Sequence, residues 1–180
     1  MKHGPRIQPA RGLTMVEILI VVAILVTLVG IGVPSFRLMK ANARSTLCAG
    51  KLRDLGIGLN GYLGDHGMKF PTLVAARESR EDDAPALDTE LLEYVGDEFA
   101  FQCPADHEHF GKTGCSYFWN SLVNGQNTSK LQLLGLKGHA AGIPIVSDKE
   151  NFHEDVGDSV NVLYADGHVL REVQFAVGNR

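Results

Sequence analysis

The stretch Arg11 to Val26, RGLTMVEILIVVAILV, restricts this chain more than any other. It opens an apolar run in which, from Leu13 to Val33, only Thr14, Glu17 and Thr27 carry strongly polar side chains. A helix of roughly 20 such residues is long enough to cross a bilayer. An ionised carboxylate within hydrocarbon costs roughly 3 kcal/mol on insertion scales. The apolar run holds no basic residue to partner Glu17. The run and its one acid therefore need a common explanation.

The flanks orient the run. Residues 1–12 contain Lys2, Arg6 and Arg11 and no acid, so the positive-inside tendency keeps them in the cytoplasm and places the body on the far side. The chain carries a formal charge of -4, and without those three basic residues the body carries -7. An acidic body with no basic excess argues against nucleic acid as a partner and against binding to an anionic surface. With 180 residues, 44% of them hydrophobic and 21% charged, the chain has enough apolar material for one modest domain beyond the run.

Three readings of the run compete. A secretory signal needs an apolar core of about 7–15 residues followed by small residues of the A-x-A kind. Here the core is longer and ends in GIGVPSF. A plain transmembrane anchor accounts for the length but leaves Glu17 unexplained. Cleavage between Gly12 and Leu13, with the run retained, accounts for both. The cut creates an α-amine on Leu13, and in a packed filament the Glu17 carboxylate of one subunit neutralises the Leu13 amine of its neighbour. Each charge is unfavourable alone in apolar surroundings, and pairing lowers both penalties. The helix dipole also favours an acid in the first turn.

These residues resemble the class III prepilin signal of type IV pilins and type II secretion pseudopilins. The match consists of a basic leader, Gly12 before the cut, an apolar Leu13, Thr14, and Glu17 as the fifth residue of the mature chain. The resemblance implies cleavage and N-methylation of Leu13 by a prepilin peptidase. Pro34 stands where this family commonly has a proline, which removes a helix hydrogen bond and can kink the rod.

Beyond Pro34 the pattern continues as a more polar helix, with Leu52, Leu55, Leu59, Tyr62 and Leu63 on one stripe and Arg37, Lys40, Arg44, Lys51 and Arg53 on exposed faces. The expected end lies between Tyr62 and His66. Next come a short helix in DTELLEYVG with Asp88 as N-cap, and strands in FAFQCP, SYFWNSLV and IPIVSD. NVLYADGHVLREV reads as a hairpin around Asp166-Gly167, a pair suited to a type I′ turn. The fold expected is α+β, a pilin-like lollipop whose long N-terminal helix packs its outer half on a small antiparallel sheet. Its parts are a removed leader (1–12), a membrane and filament-core helix (13–34), an amphipathic continuation (35–64) and a periplasmic head (65–180). CAGKLRDLGIGLNGYLGDHGMKFP, FQCP, SYFWN and NVLYADGHV are also similar to prepilin-like proteins that end in a processing-associated Asp-Gly-His element. In that group a His precedes the Asp-Gly, and His153 lies upstream of Asp166 at a longer spacing than usual.

Several polar groups are candidate sites. Cys103, His107, His109 and Cys115 offer thiolates and imidazoles for zinc, but their spacing fits no usual zinc motif. An exported head favours a disulfide instead. Cys115 is the near partner for Cys103 by loop length, and the resemblance points to Cys48 with Cys103; the choice depends on Cβ separation. Major pseudopilins commonly hold calcium, and Asp148, Glu150, Glu154, Asp155 and Asp158 supply carboxylates, though without an EF-hand pattern. Asp166, Gly167 and His168 read as a polar hairpin tip rather than a catalytic group, and Trp119 as a core residue. No catalytic residues are assigned.

The expected function is a structural subunit, a type II secretion pseudopilin in a periplasmic pseudopilus that drives protein export. The alternatives are a type IV pilus subunit for adhesion, motility or DNA uptake, and a pilin-anchored metal-binding enzyme or binding domain. The expected partners are other pilin-like subunits, the prepilin peptidase and an inner-membrane assembly platform. The expected location is the bacterial inner membrane, then the filament.

Overall fold

The computed structural model describes residues 14–133, 136–137, 140–156 and 160–171. Gly12 and Leu13, the expected cleavage residues, lie outside these, as does Asp158. The first element is a helix, α1 (Met15–Asp65), with Pro34 inside it. It stops where the glycine-rich end allows a left-handed turn. Gly67 has φ 64°, and the Met68 N–H donates to the Leu63 carbonyl at 2.8 Å, a Schellman-type ending.

The chain divides after Met39 into two units. In the first, α1 is long and apolar enough to cross a membrane, by length and composition. Successive helical residues are turned by about 100°, so five in a row sample the whole circumference. Ile18, Leu19, Ile20, Val21 and Val22 are all more than half exposed, which makes the surface apolar on every side. Thr14 precedes the helix and shares reciprocal bonds with Glu17. The Thr14 N–H donates to Glu17 Oε2 at 3.0 Å, and the Glu17 N–H donates to Thr14 Oγ1 at 3.2 Å. This T-x-x-E arrangement is a capping box that satisfies two of the N–H groups otherwise orphaned at the helix start.

In the second unit, α1 turns one face inward. Ser45, Cys48, Ala49, Leu52, Leu55, Leu59 and Leu63 are buried at helical spacing. Of these, Cys48, Leu52, Leu55, Leu59 and Leu63 pack with Leu91, Phe101, Tyr117, Trp119, Ile143, Val146 and Leu163 into one hydrophobic core. The chain then forms α2 (Leu87–Glu90), α3 (Leu92–Val95) and α4 (His109–Thr113), followed by β1 (Tyr117–Trp119). A small ladder of β2 (Gln132–Leu133) and β3 (Leu136–Lys137) precedes β4 (Pro144–Asp148), β5 (Val162–Tyr164) and β6 (Val169–Leu170). The main sheet is antiparallel in the order β1-β4-β5-β6, with Tyr117 opposite Asp148 and Val162 opposite both Ser147 and Leu170. One long helix and a small antiparallel sheet make the fold α+β.

Three local expectations need correction. FAFQCP is not a strand: Glu98–Phe101 is a 3-10 turn, capped by Asp97, whose side chain accepts from the Phe99 N–H. Asp88 is not an N-cap. Helix α2 starts two residues earlier than that cap would place it, at Leu87 with Ala86 as its cap, and Asp88 instead pairs with the nearly buried guanidinium of Arg77. The hairpin turn is not type I′, because that geometry needs positive φ at both central residues. Only Gly167 has it, at 89°. The loop is Ala165-Asp166-Gly167, closed by the Tyr164 N–H donating to the His168 carbonyl at 2.9 Å.

Candidate metal centre

Three stretches distant in sequence bring four side chains to one place at the end of the inner strand β4. Cys48 comes from α1, one turn before Leu52 on the same buried stripe. Cys103 follows the 3-10 turn at Glu98–Phe101. Asp148 ends β4, and His153 lies in the turn that follows. All four residues are at most 3% exposed, and one donor atom from each lies within 4.8 Å of the other three.

The contacts are specific. Cys48 Sγ lies 3.1 Å from Asp148 Oδ1, and Cys103 Sγ lies 3.4 Å from His153 Nε2. His153 Nε2 is 3.7 Å from Asp148 Oδ2. Asp148 Oδ2 also accepts from the Asn161 N–H and the Asn161 Nδ2, each at 2.8 Å. That pair fixes the carboxylate plane and leaves Oδ1 directed at Cys48. The Tyr117 hydroxyl stands 3.6 Å from Cys48 Sγ.

The backbone around Cys103 is held as firmly. Its N–H donates to Ser116 Oγ at 2.9 Å, and its carbonyl accepts from the Asp106 N–H at 2.9 Å. Asp106 then accepts from the N–H groups of Glu108, His109 and Phe110 and from the Ser116 hydroxyl. Burial pushes the Asp106 carboxyl up, but these four donors outweigh it and hold the group below its ordinary value. These bonds hold the Cys-Pro-Ala-Asp turn in shape.

Electrostatics in the cluster are unequal. The Cys48 thiol is raised, first because it donates toward Cys103 and then by burial. Cys103 is lowered, first by that same hydrogen bond and further by His153 and the Ala105 N–H, against the effect of burial. Burial raises Asp148 despite its bonds from Asn161. Cys48 has one proton and two acceptors in reach, Asp148 and Cys103.

The residues singled out from sequence are therefore grouped differently in space. No disulfide is present: Cys48, Cys103 and Cys115 are all free thiols. Cys115 bonds instead to the backbone of Tyr117, with Sγ 3.5 Å from that carbonyl, and burial pushes its thiol up to about 12. The zinc set of Cys103, His107, His109 and Cys115 does not form. His109 pairs with Glu150 at 3.0 Å, and among the described residues the one group of metal-binding type is Cys48, Cys103, Asp148 and His153. The calcium set is also divided. Asp148 is buried in the cluster, Glu150 is exposed beside His109, and Glu154 accepts from Asn151 at 3.5 Å. The Asp155 side chain and Asp158 lie outside the described residues.

At the hairpin, His168 stacks on Tyr164 with ring centroids 4.5 Å apart, and its Nδ1 lies 2.5 Å from Asp166 Oδ1. This is a half-exposed polar tip, as expected. Trp119 is 2% exposed and belongs to the core, its Nε1 donating to Asn124 at 2.6 Å. Sequence reasoning gave His153 no role. Cys48 and Asp148 are 100 residues apart and Cys103 and His153 are 50 apart, so no local spacing marked the group. One usable signal was Cys48 lying four residues before Leu52 on the inward stripe.

Comparison with protein-family models, with curated proteins and with solved structures gives no match to this chain.

Proposed function

We propose that this chain is a pilin-like structural subunit of the type II secretion class, which assembles through its N-terminal helix into a periplasmic pseudopilus. The observation that carries the reading is the first half of α1. It is apolar around its whole circumference, and its one acid is Glu17 in the first turn. A helix that is apolar on all sides has to be covered by lipid or by other helices, and a filament core supplies the second once the subunit leaves the first.

The capping box sharpens this account. While a subunit waits in the bilayer, Glu17 is occupied by the Thr14 N–H and hydroxyl, which reduces the penalty of its charge. Cleavage between Gly12 and Leu13 puts a new amine one residue before Thr14, within the same helix end. In the filament the carboxylate then faces a neighbour's amine and sets the axial register. Orientation follows from the basic leader, with the head periplasmic.

The experiment is the intact mass and N-terminal sequence of the protein recovered from cell membranes. The expected chain starts at Leu13 and carries one extra methyl group on its amine. A chain that still starts at Met1, or one cut after Val33, overturns the reading.

A further inference from the structure

We propose that Cys48, Cys103, Asp148 and His153 form a structural zinc site that ties α1 to the sheet. The inference concerns the head alone and stands whether or not the chain assembles into a filament.

The donor set selects the ion. Two sulfurs and an imidazole exclude calcium and magnesium, which take oxygen ligands. Two thiolates, one imidazole and one carboxylate in a four-fold arrangement suit zinc. The size of the cluster agrees. Zn–S bonds of about 2.3 Å and Zn–N or Zn–O bonds of about 2.0–2.1 Å place tetrahedral ligands roughly 3.3–3.8 Å apart. The contacts here are 3.1, 3.4 and 3.7 Å. All four donor atoms lie within 4.8 Å of one another, so closing onto one ion draws the widest-spaced atoms in by up to about 1 Å.

The surroundings are those of a metal site. Each ligand is buried, so water does not compete. Asn161 holds the carboxylate through two bonds to Oδ2, and the Tyr117 hydroxyl reaches Cys48 Sγ. Such outer partners orient ligands and tune them. Four protein ligands fill the tetrahedron and leave no open position, so the site is structural rather than catalytic. Loading releases the two thiol protons to solvent and involves no change of oxidation state. The four segments it joins are α1, the Cys-Pro turn, the end of β4 and the turn after it. Without zinc these would be held by packing and by thiol and imidazole contacts alone.

The test uses the full chain in detergent, purified without chelator or added metal, with elemental analysis and thiol counting. The expected result is one zinc per chain, with Cys48 and Cys103 protected from thiol reagents until a strong chelator is added. Cys48→Ser and Cys103→Ser should lose the zinc, whereas Cys115→Ser should keep it, because Cys115 is equally buried but outside the cluster. Exchange of zinc for cobalt(II) in the unaltered chain removes any dependence on variants that fail to fold. Thiolate-to-cobalt charge transfer and intense visible bands of tetrahedral cobalt are then expected. A chain without metal, a Cys48–Cys103 disulfide in the purified protein, a stoichiometric metal other than zinc, or cobalt bound without thiolate bands would each overturn the proposal.

Discussion

At the scale of single residues, Glu17 has two physical roles that can be separated. Its carboxylate caps the helix start through Thr14, and its charge is the proposed partner of a neighbour's amine. Glutamine at the same position retains the cap, because a capping box accepts either Glu or Gln. It cannot neutralise an amine. Glu17→Gln should therefore leave helix content and membrane insertion unchanged while abolishing filament assembly, and Glu17→Leu should lose assembly as well. The two variants are compared by membrane fractionation and by the yield of sheared filaments. If Glu17→Gln subunits assemble at the normal level, capping alone explains the residue and the charge pairing is wrong. The run and its acid were legible in sequence because both are local. The cap is local as well, spelled out as T-x-x-E in Thr14 to Glu17.

At the scale of elements, the glycines of α1 divide by what they face. A Cβ at Gly58 would lie 2.5 Å from Val95 Cγ2, so this position lets α3 approach the helix. A Cβ at Gly50 would meet nothing within 4 Å. Glycine inside a helix is destabilising by about 1 kcal/mol relative to alanine, whereas overpacking a tight contact costs about 1–3 kcal/mol. Gly50→Ala should therefore raise stability by up to about 1 kcal/mol. Gly58→Ala should lower it by up to about 2 kcal/mol after the helix gain is subtracted. Thermal or urea unfolding of the two variants in detergent gives the comparison, and equal shifts would mean that the α3 contact yields without strain. Sequence could count these glycines but not sort them, since the sorting depends on which neighbour lies across the contact.

At the scale of the whole molecule, the division after Met39 predicts where the chain can be cut. Residues 40–65 of α1 supply Cys48, Leu52, Leu55, Leu59 and Leu63 to the core, each at most 4% exposed. A fragment beginning at Lys40 should be soluble without detergent and unfold cooperatively. A fragment beginning at His66 should not fold. The four leucines alone represent roughly 6–12 kcal/mol of burial, comparable with the whole stability of a domain, about 5–15 kcal/mol. Far-UV circular dichroism and cooperative melting distinguish the two fragments, and a folded fragment from His66 would mean that the helix is only an attachment to the head.

The sequence by itself determined the apolar helix, its polar continuation to within a residue or two of Asp65, the inward leucine stripe, the strand cores at Tyr117–Trp119 and Pro144–Asp148, and the Asp-Gly hairpin. Each of these rests on periodicity or on neighbours a few residues apart, which a chain displays before it folds. The cluster of Cys48, Cys103, Asp148 and His153 was decided only by tertiary structure. Local sequence divides its members among disulfide, zinc, calcium and unassigned roles, because contacts across 50 and 100 residues leave no periodic trace. They meet because the helix face, the locked Cys-Pro turn and the end of β4 are packed against one core, and side chains on three separate elements can converge only once that core exists.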